Sequence, residues 1–261
     1  MKSPLISIVI PAYNNSNLLK GTINSVIQQT YTKFEIIVVD DGSEIDLFPI
    51  IKEFDDNRIF YFKLEHKNAN VARNFGVENS KGTYIAMLDS DDIWLKNHLK
   101  DCLLTINQIK SDGLYGSIIL RNSKKHETTI IVKDLNEYKS IINYLLSYGY
   151  GAQTSTLFMT ANSAKQILWN PELNRHQDYD FILRYSHKFI LKPKIEPTVI
   201  YNINSNIKHI DFKSCIKFIK EVKQNIAPDI YKKYNLHMLN LAKQQGVSTD
   251  IILYYQRQIA L

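Results

Sequence analysis

The stretch Gly82-Thr83-Tyr84-Ile85-Ala86-Met87-Leu88-Asp89-Ser90-Asp91-Asp92-Ile93-Trp94 constrains what the rest of the chain can fold into. Tyr84 to Leu88 is a short apolar run with the length of a buried strand. It stops in three carboxylates within four residues. Like charges this close are costly at a strand end unless a cation sits among them. Hard divalent cations such as Mg²⁺ and Mn²⁺ take oxygen ligands and keep positions open for substrate phosphates. The stretch therefore points to a metal–phosphate site at the carboxyl end of a parallel strand, where open α/β sheets put their ligands. The plainer reading is a polar loop that caps the next helix, with Asp92 as its N-cap.

The residues before it build the sheet that such a site needs. Leu5 to Ile10 reads as a buried first strand ending in Pro11-Ala12-Tyr13, and a helix follows over 16–29, with Leu18, Leu19, Ile23, Val26 and Ile27 at helical spacing. Phe34 to Val39 is a second strand, ending in Asp40-Asp41-Gly42-Ser43. A helix is expected over 45–54, a strand over 59–62 and a helix over 70–79 that carries Arg73. Strands alternating with helices imply parallel βαβ units and a doubly wound sheet. After about residue 110 the pattern becomes mixed. A helix is expected over 95–109 and another over 136–148, with short strands at 115–120, 128–132, 155–159 and 198–203. Arg175-His176-Gln177-Asp178-Tyr179-Asp180 reads as a helix start, and from Asp211 on only helices are expected.

Composition narrows the class. With 44% apolar and 22% charged residues in 261, this is an ordinary globular composition, without an apolar run long enough to span a bilayer. Met1-Lys2-Ser3-Pro4 has no signal-peptide anatomy, so a cytoplasmic protein is expected, with Cys102 and Cys215 reduced in the core or at an interface. The net charge of +6 is uneven. Residues 206–261 hold nine lysines and arginines against four acids, whereas the body before them is nearly neutral. Lys213, Lys217, Lys220 and Lys223 share one side of a helical wheel beside Phe212, Cys215, Ile219, Val222 and Ile226. That describes either a helix packed on the body with a solvated lysine edge or one lying on an anionic membrane. Nucleic acid is not expected among the partners.

Each strand end carries a ligand-type residue. Tyr13 could stack on a nucleobase or be one loop aromatic among 16 tyrosines. A carboxylate of the Asp40-Asp41 pair could accept a uracil N–H or a ribose hydroxyl, or simply belong to a turn. Three parallel strands delivering such residues at one end form a stronger signal than any of them alone. Among the histidines, His66, His126, His187 and His237 are isolated in sequence. His98 is expected to face solvent from its helix, and His176, beside Asp178, is a candidate acceptor contact, cap or surface residue.

Taken together, Ser7-Ile8-Val9-Ile10-Pro11-Ala12-Tyr13-Asn14, Ile37-Val38-Val39-Asp40-Asp41-Gly42-Ser43, Ala72-Arg73-Asn74-Phe75-Gly76, Asp89-Ser90-Asp91-Asp92-Ile93-Trp94 and Gln177-Asp178 resemble the family 2 glycosyltransferases in order and spacing. The resemblance is close over residues 5–110, thinner over 110–205 and absent beyond. It implies an α/β GT-A fold, a Rossmann-like, mostly parallel sheet flanked by helices, here with a helical C-terminal tail. It divides the chain into a nucleotide-sugar-binding part (1–110), an acceptor-binding part of the same domain (111–205) and a basic helical extension (206–261).

The resemblance also implies roles. Pro11, Ala12 and Tyr13 would line the nucleotide, with Tyr13 stacked on uracil and Asp41 pairing with its N3–H. Arg73, Asp89 and Ser90 would lie near the nucleotide and sugar. Asp91 would hold Mn²⁺ or Mg²⁺, with Asp92 behind it or at a helix N-cap, and Asp178 would be the general base. Gln177 departs from the family's Glu at that position and leaves Asp178 as the carboxylate of the pair. Asp180, about 200° away on a helix, would serve the helix N-terminus instead. Asn68 stands where many relatives have glycine and would keep a positive-φ turn. The implied activity is inverting transfer of a hexose or N-acetylhexosamine from a UDP-sugar to a hydroxyl of a bacterial surface glycan (capsule, O-antigen or lipooligosaccharide), free or lipid-linked. It would be performed in the cytoplasm or at the inner face of the membrane. The alternatives are a non-catalytic nucleotide-sugar-binding protein, against which Asp91 and Asp178 argue, and a nucleotidyltransferase. The latter would need a glycine-rich loop in place of Pro11-Ala12-Tyr13-Asn14.

Overall fold

The computed structural model describes residues 3–138, 140–148, 152–203 and 210–260; Met1-Lys2 and the boundary expected at 205–206 lie outside them. The first half runs β1 (Ile6–Ala12), α1 (Ser16–Ile27), β2 (Phe34–Asp40), α2 (Phe48–Lys52), β3 (Ile59–Lys63), α3 (Ala69–Glu78) and β4 (Tyr84–Met87). It continues with β5 (Ile93–Trp94), α4 (His98–Ile109), β6 (Gly113–Arg121), β7 (Glu127–Ile130), α5 (Ile141–Tyr148), β8 (Phe158–Thr160), α6 (Ala161–Gln166), α7 (Gln177–Ser186) and β9 (Leu191–Asn202). Three helices close the described chain: α8 (Phe212–Val222), α9 (Pro228–Gln244) and α10 (Thr249–Ala260).

Among the described residues the strands form one nine-stranded sheet ordered β3-β2-β1-β4-β8-β6-β9-β5, with β7 alongside β6. The first four are parallel, and the second half mixes both directions. Every residue of β1 and β2 is buried, as strands covered on both faces must be. Their side chains alternate between faces. Ile6, Ile8 and Ile10 join Leu19, Ile23 and Val26 of α1 and Leu99, Cys102 and Ile106 of α4. Val9, Ile85 and Met87 turn to the other face, into a core shared with α5, α7, α8 and α9.

Several elements differ from their expected form: the helix expected over 136–148 runs only over Ile141–Tyr148, and the strand expected over 155–159 is a 3₁₀ turn (Thr154–Thr156) followed by β8. The helix expected from residue 95 starts at His98, because Ile93 and Trp94 pair with Ile200 and Val199 as the edge strand β5. The strand expected at 198–203 begins at Leu191. Pro193 and Pro197 hide its pattern, and its register against β6 shifts between Gly116 and Ile118. His98 is buried rather than solvent-facing: its ring stacks on Trp94 and Nδ1 meets the Thr198 hydroxyl at 2.8 Å. Burial, with Lys194 nearby, pushes its pKa well down, so it is a neutral core residue. Both cysteines are free and buried.

The helix that carries Arg73 crosses β1 at Gly76, where an added Cβ would sit 2.4 Å from Val9 Cγ1. Gly76→Ala should therefore destabilise the fold by about 1–3 kcal/mol, because overpacking against a stiff β-branched side chain outweighs the gain in helix propensity. Urea denaturation measures this, and Val9→Ala in the same chain should recover part of the loss.

Candidate active site

The site is assembled where the parallel strands end. Pro11 and Ala12 close β1 against Val39 and Asp40 of β2. Asp40 is structural: Oδ1 accepts from the Ser43 N–H at 2.8 Å and Oδ2 from the Tyr61 hydroxyl at 2.7 Å. Asp41, also buried, accepts from the Lys67 N–H through Oδ1 at 2.9 Å. Tyr13 is 41% exposed, and the His66 ring lies on it at a centroid distance of 4.2 Å. His66, isolated in sequence, is thus brought to Tyr13 and Asp41.

Arg73 reaches the site from α3. It is 3% exposed, donates from Nη2 to Asp89 Oδ1 at 2.7 Å and from Nη1 to Asn70 Oδ1 at 3.1 Å, and has the Trp169 ring 6.0 Å away. Its Nε is buried with no hydrogen-bond partner. The α3 N-terminus is capped by Asn68, whose side chain accepts from the N–H groups of Asn70 and Val71. Asn68 is extended at φ −175°, so it acts here as a cap and not as the positive-φ turn residue expected in place of glycine.

The three acids after β4 have different surroundings. Asp89 is held by Arg73, and its N–H donates to Ser155 Oγ at 3.0 Å. Asp92 is fully buried: Oδ2 accepts from Ser155 Oγ at 2.6 Å and Oδ1 from the Asn202 N–H at 3.0 Å. Burial first, then Asp91 and Asp89, push its carboxyl well above the ordinary range. It caps no helix, because β5 follows it and the α4 cap position is Asn97. Asp91 is half-buried, and its carbonyl accepts from Asn202 Nδ2 at 2.6 Å. Ser90 Oγ accepts from Asn15 Nδ2 at 3.1 Å.

Asp178 stands in the first turn of α7, with Oδ1 accepting from the Tyr179 N–H at 3.0 Å. Burial pushes its carboxyl up; hydrogen bonding and the positive charges of Arg175 and Arg73 pull part of the way back. Asp180 points elsewhere and pairs with Arg184 one turn on, at 2.6 Å. His176 is the residue before the helix, at φ 58°; it stacks on Tyr179 and meets the Tyr234 hydroxyl at 2.8 Å, so it is packed inward.

Tyr201 of β9 links the two halves of the site. Its phenol is pushed up by burial and then by the negative charges of Asp92, Asp89, Asp178 and Asp91. The strand-end acids and the α7 carboxylate therefore all act electrostatically on one phenol. Sequence reasoning missed Tyr201, Asn202, Ser155 and His66. The first two lie more than a hundred residues from the acids after β4, and the β5–β9 pairing brings them together.

Among the described residues no group of three or more His, Cys, Asp or Glu side chains is arranged to hold a metal. Asp89 is engaged by Arg73 and Asp92 by Ser155 and Asn202; Asp91, half-buried after β4, has the hard oxygen-donor chemistry that Mg²⁺ or Mn²⁺ takes. One carboxylate fits a Mg²⁺ or Mn²⁺ completed by phosphate oxygens and water, not one held in a protein cage.

Comparison with known proteins agrees with this geometry. The model of glycosyl transferase family 2 matches residues 7–166. The amylovoran biosynthesis glycosyltransferase AmsB of Erwinia amylovora is 29% identical, covering 100% of this chain and 92% of its own length. The UDP-Glc:alpha-D-GlcNAc-diphosphoundecaprenol beta-1,3-glucosyltransferase WfgD of Escherichia coli is 34% identical over 61% of this chain and 62% of its own. S. aureus TarS 1–349 in complex with UDP-GlcNAc superposes with a TM-score of 0.67 at 18% identity, over 97% of this chain and 72% of that one. The mannosyltransferase PcManGT from Pyrobaculum calidifontis, in complex with GDP-Man and Mn²⁺, does so at 0.61 and 12%, over 100% and 71%. The fold is GT-A, and the chain belongs to glycosyltransferase family 2.

Proposed function

We propose that this protein is an inverting glycosyltransferase that moves a hexose or N-acetylhexosamine from a UDP-sugar to a hydroxyl of a bacterial surface glycan. The observation that carries the reading is Asp178. Its carboxyl is raised by burial and lies within electrostatic reach of Arg175 and of Arg73, the arginine that holds Asp89. A positioned carboxylate of raised pKa suits a general base. Relatives support the substrate class: one is named for amylovoran biosynthesis, another for UDP-glucose and a lipid diphosphate acceptor, and a structural neighbour holds UDP-GlcNAc.

In this reading residues 1–110 hold the donor, 111–205 the acceptor, and 206–261 form an extension. Pro11, Ala12 and Tyr13 line the nucleotide, with Tyr13 and Asp41 taking the base. Arg73 fixes Asp89 beside the sugar and diphosphate, near Ser90. Asp91 would hold Mg²⁺ or Mn²⁺, which as a Lewis acid would offset the charge of the departing diphosphate. Asp178 takes the acceptor's hydroxyl proton while that oxygen attacks the anomeric carbon opposite the leaving group, so an α-linked donor yields a β-glycoside.

No helix among the described residues is long and apolar enough to cross a membrane. We place the reaction in the cytoplasm. A lipid-linked acceptor would bring the protein to the inner face of the membrane through the lysine edge of α8.

Asp178→Asn should leave UDP binding intact and lower transfer by roughly 10²–10⁴-fold, whereas Asp180→Asn should cost only its ion pair with Arg184. In the unaltered enzyme kcat/KM should fall with acid along a limb lying above the ordinary aspartate range. A folded-state pKa that is raised leaves the base protonated at pH values where a free aspartate would be ionised. Near-normal transfer by Asp178→Asn, or a product of retained anomeric configuration by NMR, would sink the mechanism.

Isothermal titration with UDP should show Mn²⁺-enhanced affinity that Asp91→Ala loses. An enhancement unchanged in the variant would remove Asp91 from the metal site. Co-sedimentation should show salt-sensitive binding to anionic vesicles and none to neutral ones.

A further inference from the structure

We propose that His66 competes with the nucleobase for the subsite formed by Tyr13 and Asp41, which rests on the uridine-nucleotide reading above. The imidazole lies on the Tyr13 ring with centroids 4.2 Å apart and planes inclined by 14°. Its Nδ1 is 2.9 Å from the Asp41 carbonyl oxygen and 2.9 Å from Asp41 Oδ2. Both are acceptors, so Nδ1 carries the hydrogen and donates. A flat ring stacked on Tyr13 and donating an N–H to Asp41 makes the two contacts a uracil ring would need. Two rings cannot occupy that one position.

The local backbone holds His66 there. Gly42, at φ 74°, lets the segment after β3 come so close that an added Cβ would lie 2.5 Å from the His66 backbone nitrogen. The Lys67 N–H then occupies Asp41 Oδ1, leaving Oδ2 to the imidazole. The side chain itself is 52% exposed, so its open side faces solvent. Base binding thus exchanges one stacked ring and one N–H donor for another. The affinity observed is the intrinsic affinity reduced by the fraction of molecules in which His66 has left the Tyr13 face. His66 is in this sense a specificity-determining residue: a base gains the site only if it outdoes the imidazole at both contacts.

Titration calorimetry with UDP and Mn²⁺ on the full chain and on His66→Ala tests this. The variant should bind UDP about three- to tenfold more tightly, since the competing population is removed. A second readout needs no variant. In the unaltered protein the His66 ring protons, shifted by the Tyr13 ring current, should move toward free-histidine positions as UDP saturates the site. If UDP binds the full chain but His66→Ala binds equally or more weakly, and the ring signals stay shifted, the imidazole is part of the base platform and the inference is overturned. If neither chain binds UDP, the uridine reading falls and takes this inference with it.

Discussion

The ion pair between Arg73 and Asp89 is the contact on which the site's geometry depends. It joins α3, which lies over β1, to the first acid after β4. The guanidinium is almost entirely buried, and removing the partner of a buried charge costs about 3–5 kcal/mol. The same helix is tied to the chain ahead of α7. Asn70 Nδ2 donates to the carbonyls of Asn170 and Leu173, and Asn74 exchanges two hydrogen bonds with the backbone of Trp169. Through Arg73, Asn70 and Asn74 one helix fixes both the strand-end acids and the segment that delivers Asp178.

Three acids in four residues are tolerated because each meets a different environment. Asp89 has an opposite charge. Asp92 has no cation; it has two donors and a buried place beneath β9, and its ionisation is opposed accordingly. Ser155 couples the two, accepting from the Asp89 N–H while donating to Asp92. The charge repulsion is thus divided between an ion pair, a desolvated, hydrogen-bonded carboxyl and the half-buried Asp91.

The first half of the fold was legible in sequence because β1 and β2 are buried on both faces and its helices amphipathic, so runs and periods are clean. The second half was not. β9 is interrupted by prolines, β5 is only two residues long, and neither has a period to read. The site divides in the same way. Tyr13, Asp41, Arg73, Asp89 and Asp91 come from strand ends and a helix that sequence could place. Tyr201 and Asn202 come from a strand whose pairing is non-local, and Ser155 from a single 3₁₀ turn. His66 carried no signal because its importance lies in proximity to Tyr13, a contact made by two loops 53 residues apart.

The tail shows the limit of an amphipathic pattern. A helix with an apolar face beside lysines has the same sequence whether it lies on protein or on lipid. In α8 the protein takes the apolar face: Phe212, Cys215, Phe218 and Ile219 are buried in the core shared with α9 and α10. The charged edge is also partly committed, with Lys217 paired to Glu172 and Lys220 and Lys223 lying over the rings of Tyr254 and Tyr231. Insertion into a bilayer would require α8 to leave that core, at about 1.5–3 kcal/mol for each large apolar side chain uncovered. Adhesion by charge requires no such change and gains about 1 kcal/mol per lysine near an anionic surface. A membrane partner of this tail would therefore be met by its lysines with the fold intact.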